Sequence, residues 1–181
     1  SGLWINSGAN NIVQGNFIGT NAASATGLGN ASTCVLANGS GNTIGGSTAG
    51  AGNVIVSSGG EGLRIAGPAS TGNVVQGNYI GTNAAGAAGL GNAGPGVWIF
   101  NGAANNTIGA ASAGNVISGN SGAGVQITDN GTANAVRFNS IHSNGGLGID
   151  LSTAVPSSGV TPNDSFDGDS GPNRLQNFPT I

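Results

Sequence analysis

Charged side chains make up only 5% of this 181-residue chain, against roughly a quarter in ordinary soluble domains. Lysine and methionine are absent. The net charge is −3, which argues against a nucleic-acid partner or an anionic membrane surface, since both select basic proteins. The lone cysteine, Cys34, excludes an internal disulfide and a cysteine-built zinc site, and it reads as a packed, inert thiol. No run approaches the roughly 18 apolar residues of a membrane span. The chain starts at Ser1 inside a repeat, so a mature product or an excised piece of a longer chain is expected.

What is abundant is glycine, at 37 residues, together with regularly spaced Val, Ile and Asn. The glycines lack the strict third-position period of collagen. Two segments set the pattern. Asn11-Ile-Val-Gln-Gly-Asn-Phe-Ile18 returns almost unchanged as Asn73-Val-Val-Gln-Gly-Asn-Tyr-Ile80, each followed by Gly-Thr-Asn. Shorter echoes start at Asn42, Asn53, Asn106, Asn115 and Asn134. Between them lies a Gly-apolar-x-apolar segment, as in Gly2-Leu-Trp-Ile5, Gly62-Leu-Arg-Ile65 and Gly96-Val-Trp-Ile99.

These segments are too short and too β-branched for helices, and Gly, Asn and Ser punctuate them. Three short strands in a unit of about 30 residues, repeated in tandem, predict an all-β solenoid of about five coils with three parallel sheets. Coils are expected to begin near Gly2, Thr33, Gly62, Gly96 and Gly124, with a sixth opening at Gly146. The predicted inward residues of the first sheet are Leu3 and Ile5, Val35, Leu63 and Ile65, Val97 and Ile99, Val125 and Ile127, then Leu147 and Ile149. The second sheet should contribute Val13, Ile44, Val75, Ile108 and Val136, and the third Ile18, Ile55, Ile80, Ile117 and Ile141. Asn11, Asn42, Asn73, Asn106 and Asn134 fall at one corner of successive coils, and Asn16, Asn53, Asn78, Asn115 and Asn139 at the next. Asparagine suits such corners because it tolerates left-handed backbone, and stacked amides can bond along the axis. The excursions 19–30 and 81–92 share a leucine, Leu28 and Leu90, expected to tuck against the coil. The solenoid is read as residues 1–150. Residues 151–181, rich in Pro, Ser, Asp and Gly, are the candidate cap.

The repeats resemble those of right-handed parallel β-helix proteins of the pectate-lyase-like superfamily. They are most similar to Gly/Asn-rich repeat regions of bacterial secreted or surface proteins. The resemblance covers essentially the whole chain and implies a right-handed parallel β-helix at the cell surface or outside the cell. It carries little about activity, because the superfamily spans lyases, hydrolases, epimerases, adhesins and structural shafts.

In enzymes of that superfamily substrate lies along the outward face of one sheet. Here the predicted outward column of the first sheet is Trp4, Cys34, Arg64, Trp98, Gln126 and Gly148. Its neighbour is Asn6, Leu36, Ala66, Phe100, Thr128 and Asp150. Trp4, Arg64, Trp98, Phe100 and Gln126 are the candidate polysaccharide contacts, by stacking and hydrogen bonding. A structural or adhesive role is the leading expectation. A lyase or glycoside hydrolase fragment is the alternative, resting on Arg64, Asp129 and Asp150, with Asp129 and Asp150 the only near pair of carboxylates. Self-association through coil ends, or through an apolar stripe of Phe17, Val54, Tyr79 and Val116, is the third. His142 reads as a surface residue. Asn163, Asp164, Asp167 and Asp169 offer hard oxygens for calcium or else form a solvated acidic turn.

Overall fold

A computed structural model of the chain describes residues 1–152 and 171–175. These residues form a right-handed parallel β-helix of sixteen short strands in three sheets. The first sheet stacks β1 (Leu3–Asn6), β4 (Val35–Asn38), β7 (Leu63–Ala66), β10 (Val97–Phe100), β13 (Val125–Thr128) and β16 (Ile149–Ser152). The second stacks β2 (Ile12–Val13), β5 (Thr43–Gly45), β8 (Val74–Gln76), β11 (Thr107–Ile108) and β14 (Ala135–Val136). The third stacks β3 (Phe17–Ile18), β6 (Val54–Ile55), β9 (Tyr79–Ile80), β12 (Val116–Ser118) and β15 (Ser140–His142). Five complete coils result, each using one strand of every sheet, and β16 opens a sixth. Every strand pairing is parallel.

Alternation decides what goes inside. In β4, β7 and β10 every second side chain is buried and the intervening ones are half-exposed. Ile44, Val75 and Ile108 from the second sheet and Ile55, Ile80 and Ile117 from the third meet the first sheet in one axial core. Burial of each such side chain stabilises the fold by about 2 kcal/mol.

The register corrects the expected columns in two coils. Val35 pairs with Leu3 and Ala37 with Ile5, so the second coil starts at Cys34, and Leu36, not Cys34, faces outward beside Trp4. In the sixth coil Ile149 and Leu151 take the inward positions, Asp150 aligns with Gln126, and Leu147 is an exposed corner residue. In both places the apolar spelling was misleading by two residues, and a two-residue slip keeps the same face. Only the ladder hydrogen bonds, such as Val125 N–H to Gly148 O, distinguish the two registers.

Both predicted asparagine ladders are present. Along each, the side-chain amide donates to Oδ1 of the next coil's asparagine at 2.8–3.0 Å. The backbone N–H of each donor residue reaches the same oxygen. The second amide hydrogen goes to a backbone carbonyl of the preceding coil, as from Asn53 to Val13 O and from Asn78 to Ile44 O. An interior ladder asparagine is therefore satisfied at every donor and acceptor, which is why it can be buried.

Left-handed backbone is not the reason for asparagine at these ten positions, for none of them has positive φ. The turn falls one residue earlier, for example at Asn10, Gly41, Gly72, Asn105 and Ala133 before the first ladder. The ladder residue itself must aim its N–H along the axis. Asn173, in the short 3-10 turn Pro172–Leu175, extends the first ladder by one step: its Oδ1 accepts from Asn134 N–H at 3.0 Å and its Nδ2 donates to Asn134 O at 2.6 Å.

Candidate functional site

The outward face of the first sheet carries the one cluster of aromatic and charged side chains among the described residues. Parallel register puts Arg64 of β7 beside Trp98 of β10, and Ala66 beside Phe100. Trp98 and Phe100, two apart on one strand, point the same way and stack with ring centroids 4.2 Å apart and an interplanar angle of 14°. The Arg64 guanidinium carbon lies 5.7 Å from both ring centres, within cation–π range. The small Ala66 leaves that space open.

The arginine is oriented from behind. Its Nε pairs with Glu61 Oε1, and the same oxygen accepts from Thr33 Oγ1 at 3.0 Å. Glu61 is buried while the arginine head stays partly in water. The indole N–H of Trp98 donates to Thr128 Oγ1 on the next strand at 3.1 Å. Ring and guanidinium are thus fixed, and what remains outward is a flat platform with arginine N–H donors at its edge. Such a surface can stack on a sugar ring and hydrogen-bond its hydroxyls or carboxylate.

Of the five predicted contacts the structure brings together Arg64, Trp98 and Phe100. Gln126 follows in the column but is buried, with Nε2 donating to Asp150 Oδ2 at 3.2 Å. Trp4 sits three coils away, about 14 Å along the axis at 4.8 Å per strand, exposed by 60%. Sequence reading missed Glu61 and Thr33 as supports of this site. The i, i+3 spacing of Glu61 and Arg64 was the available signal.

The carboxylates are dispersed. Asp129 is an exposed corner residue whose Oδ2 accepts from Asn101 N–H at 2.9 Å. Asp150 is level with Gln126, hence three positions back along the strand from Asp129, about 10 Å at 3.3 Å per residue. It is 3% exposed, and its Oδ1 has no hydrogen-bond partner among the described residues. The calcium candidates Asn163, Asp164, Asp167 and Asp169 lie outside the described residues.

Cys34 stands where the other coils have Gly2, Gly62, Gly96, Gly124 and Gly148. A Cβ at Gly62 would lie 2.7 Å from Asn92 Nδ2, and one at Gly96 2.8 Å from Asn120 Nδ2. The coil holding Cys34 has Ser58 at that asparagine position, and the thiol fills the space, 3.1 Å from Val56 O. Burial pushes the Cys34 thiol up, with the Asn30 amide at its sulfur acting in the opposite sense. The exchange exposes a third ladder that sequence reading did not separate: Asn92 to Asn120 at 2.8 Å and Asn120 to Asn144 at 2.9 Å. It is interrupted at Ser58. The recurrent Gly-Asn at 29–30, 91–92 and 119–120 was its signature.

Compared with models of known protein families, with curated proteins and with solved structures, the chain matches none. No helix among the described residues is long and apolar enough to cross a membrane.

Proposed function

We propose that this β-helix is a structural or adhesive module of an extracellular or cell-surface protein, holding polysaccharide along the outward face of its first sheet. The observation that carries this reading is the fixed Arg64–Trp98–Phe100 cluster. Half-exposed aromatics on a rigid strand, with a cation held against them, cost little to order on binding. The repeat resemblance to bacterial secreted proteins of the pectate-lyase-like superfamily supports the same location and ligand class. The hydrolase or lyase alternative finds less support. Glu61 is engaged by Arg64 and Thr33, and Asp129 and Asp150 do not face each other across one bond.

The test is retention of the protein on a panel of acidic and neutral polysaccharides, with and without calcium, while shorter products are followed in the same samples. Retention without products, weakened about tenfold in Trp98→Ala, is the expected result. Product release that disappears in Arg64→Ala or Asp150→Asn would replace the adhesive reading with the enzymatic one.

A further inference from the structure

The excursion 81–92 does not lie flat on the third sheet. It stands away from it and leaves a cleft of about 590 Å³, within the usual size of a small-ligand pocket. We propose that this cleft binds a neutral sugar residue, at a site separate from the first-sheet platform.

Its floor is Tyr79 and Val116, which are register partners on β9 and β12. One end is built by Ser118 and His142, also partners in register, with Ser118 Oγ 3.3 Å from His142 Nδ1. Ser143 Oγ lies 3.2 Å from the same nitrogen. Both hydroxyls therefore crowd one ring nitrogen, and Nε2 of the exposed imidazole has no partner among the described residues. The Tyr79 hydroxyl likewise bonds to nothing among the described residues.

The opposite wall is preformed. Asn83 Oδ1 accepts from Ala85 N–H and Ala87 N–H, both at 3.0 Å, which closes the loop on itself. Asn83 Nδ2 donates to Ser24 Oγ of the other excursion at 2.7 Å. The second coil has no excursion, so these two loops meet across it. A wall ordered before binding lowers the entropy lost when a ligand enters.

The chemistry of the lining chooses the ligand. Among the described residues no carboxylate or arginine borders the cleft and one imidazole is its sole potential cation, so a cationic ligand would lose hydration without gaining a counter-ion and an anionic one would find little compensation. One aromatic ring, a mostly Ala and Gly wall, and a few hydroxyl and imidazole groups at one end suit a molecule with an apolar face and a hydroxyl rim. A pyranose has both.

The experiment is a titration of the ¹⁵N-labelled chain with glucose, galactose, mannose and N-acetylglucosamine at millimolar concentration, followed by amide chemical shifts. With at least one of them, the expected perturbations fall on residues 81–91, 116–119 and 142–143 and leave the Trp98 strand unmoved. His142→Ala, at an exposed position, and Tyr79→Phe, which removes only the hydroxyl, should each weaken binding about fivefold. Silence with all four sugars overturns the proposal, as does binding unchanged in both variants. Perturbations lost in Trp98→Ala but kept in His142→Ala also overturn it, while leaving the first-sheet reading intact.

Discussion

The two excursions, residues 19–30 and 81–92, differ at only two of their twelve positions, Ser24 against Gly86 and Thr26 against Ala88. Their local folding is the same. Asn21 Oδ1 accepts from Ala23 and Ala25 as Asn83 Oδ1 does from Ala85 and Ala87. Yet Leu90 is 1% exposed and Leu28 is 53% exposed. The expectation that both leucines tuck in holds for one of them. The loop 81–92 lies between the second and fourth coils, with Leu90 O accepting from Ser57 N–H on one side and Gly91 packed against Gly119 O on the other. The loop 19–30 is flanked within this chain on one side only. Turn geometry here is a local property, and burial is a property of the stack.

The sharpest way to test that comparison is through the ladders. Asn78→Ala orphans the Asn53 N–H and one Asn53 amide hydrogen and removes the amide donor to Ile44 O, while Asn115 Oδ1 keeps the N–H of residue 78, so a loss of about 4 kcal/mol is expected at about 1–3 kcal/mol per buried orphan. The equivalent Asn16→Ala, at an exposed position with one axial neighbour, should cost about 1 kcal/mol. Urea unfolding of both variants measures the difference, and equal losses would mean that the end coil is as constrained as the middle.

Next in size, Leu90→Ala should cost about 3 kcal/mol, while Leu28→Ala should stay within about 0.5 kcal/mol. A large effect of Leu28→Ala in the same assay would show that its loop packs in solution as its twin does.

A smaller effect is expected at the interrupted third ladder. Ser58→Asn alone should destabilise by about 2 kcal/mol through overpacking against Cys34. Adding Cys34→Gly should restore the pairing found in the other coils and recover most of the loss, giving a coupling of at least about 1 kcal/mol. Additive effects would refute the compensated exchange.

The least effect is a titration. Burial raises the folded-state pKa of Cys34 above its unfolded value, so the fold favours the neutral thiol. That contribution is fully present below the unfolded pKa and is lost as pH rises through the folded one. Unfolding free energy should therefore fall more steeply above about pH 8.5 in the native chain than in Cys34→Ala. Parallel slopes in the two would show that the thiol is not shielded.

Much of this protein was legible from its residues. Period-2 apolar spacing, a unit of about 30 residues and paired Asn positions gave the coil count, three sheets and two ladders, because each depends only on neighbours in sequence or one repeat away. The second and third sheets were read at the right residues since Asn-x-Val/Ile has a single alignment. The first sheet was misaligned at Cys34 and Gly146, where apolar residues two apart serve either register equally.

At the candidate sites the residue types on the first sheet were readable, but their grouping was not. Arg64, Trp98 and Phe100 meet because parallel register sets Arg64 beside Trp98 and small Ala66 under Phe100. Trp4 and Gln126, equally plausible by type, fall apart from them by axial distance and by burial. The cleft beneath residues 81–92 had no sequence signature, being lined by a loop and three strands and braced by a second loop 59 positions away. The sequence alone determined the period, and with it the helix, since side-chain alternation and corner hydrogen bonds are local. Which leucine is covered, which aromatics share a platform and where a cleft opens were decided only by stacking the coils, because those depend on atoms that come together across the axis.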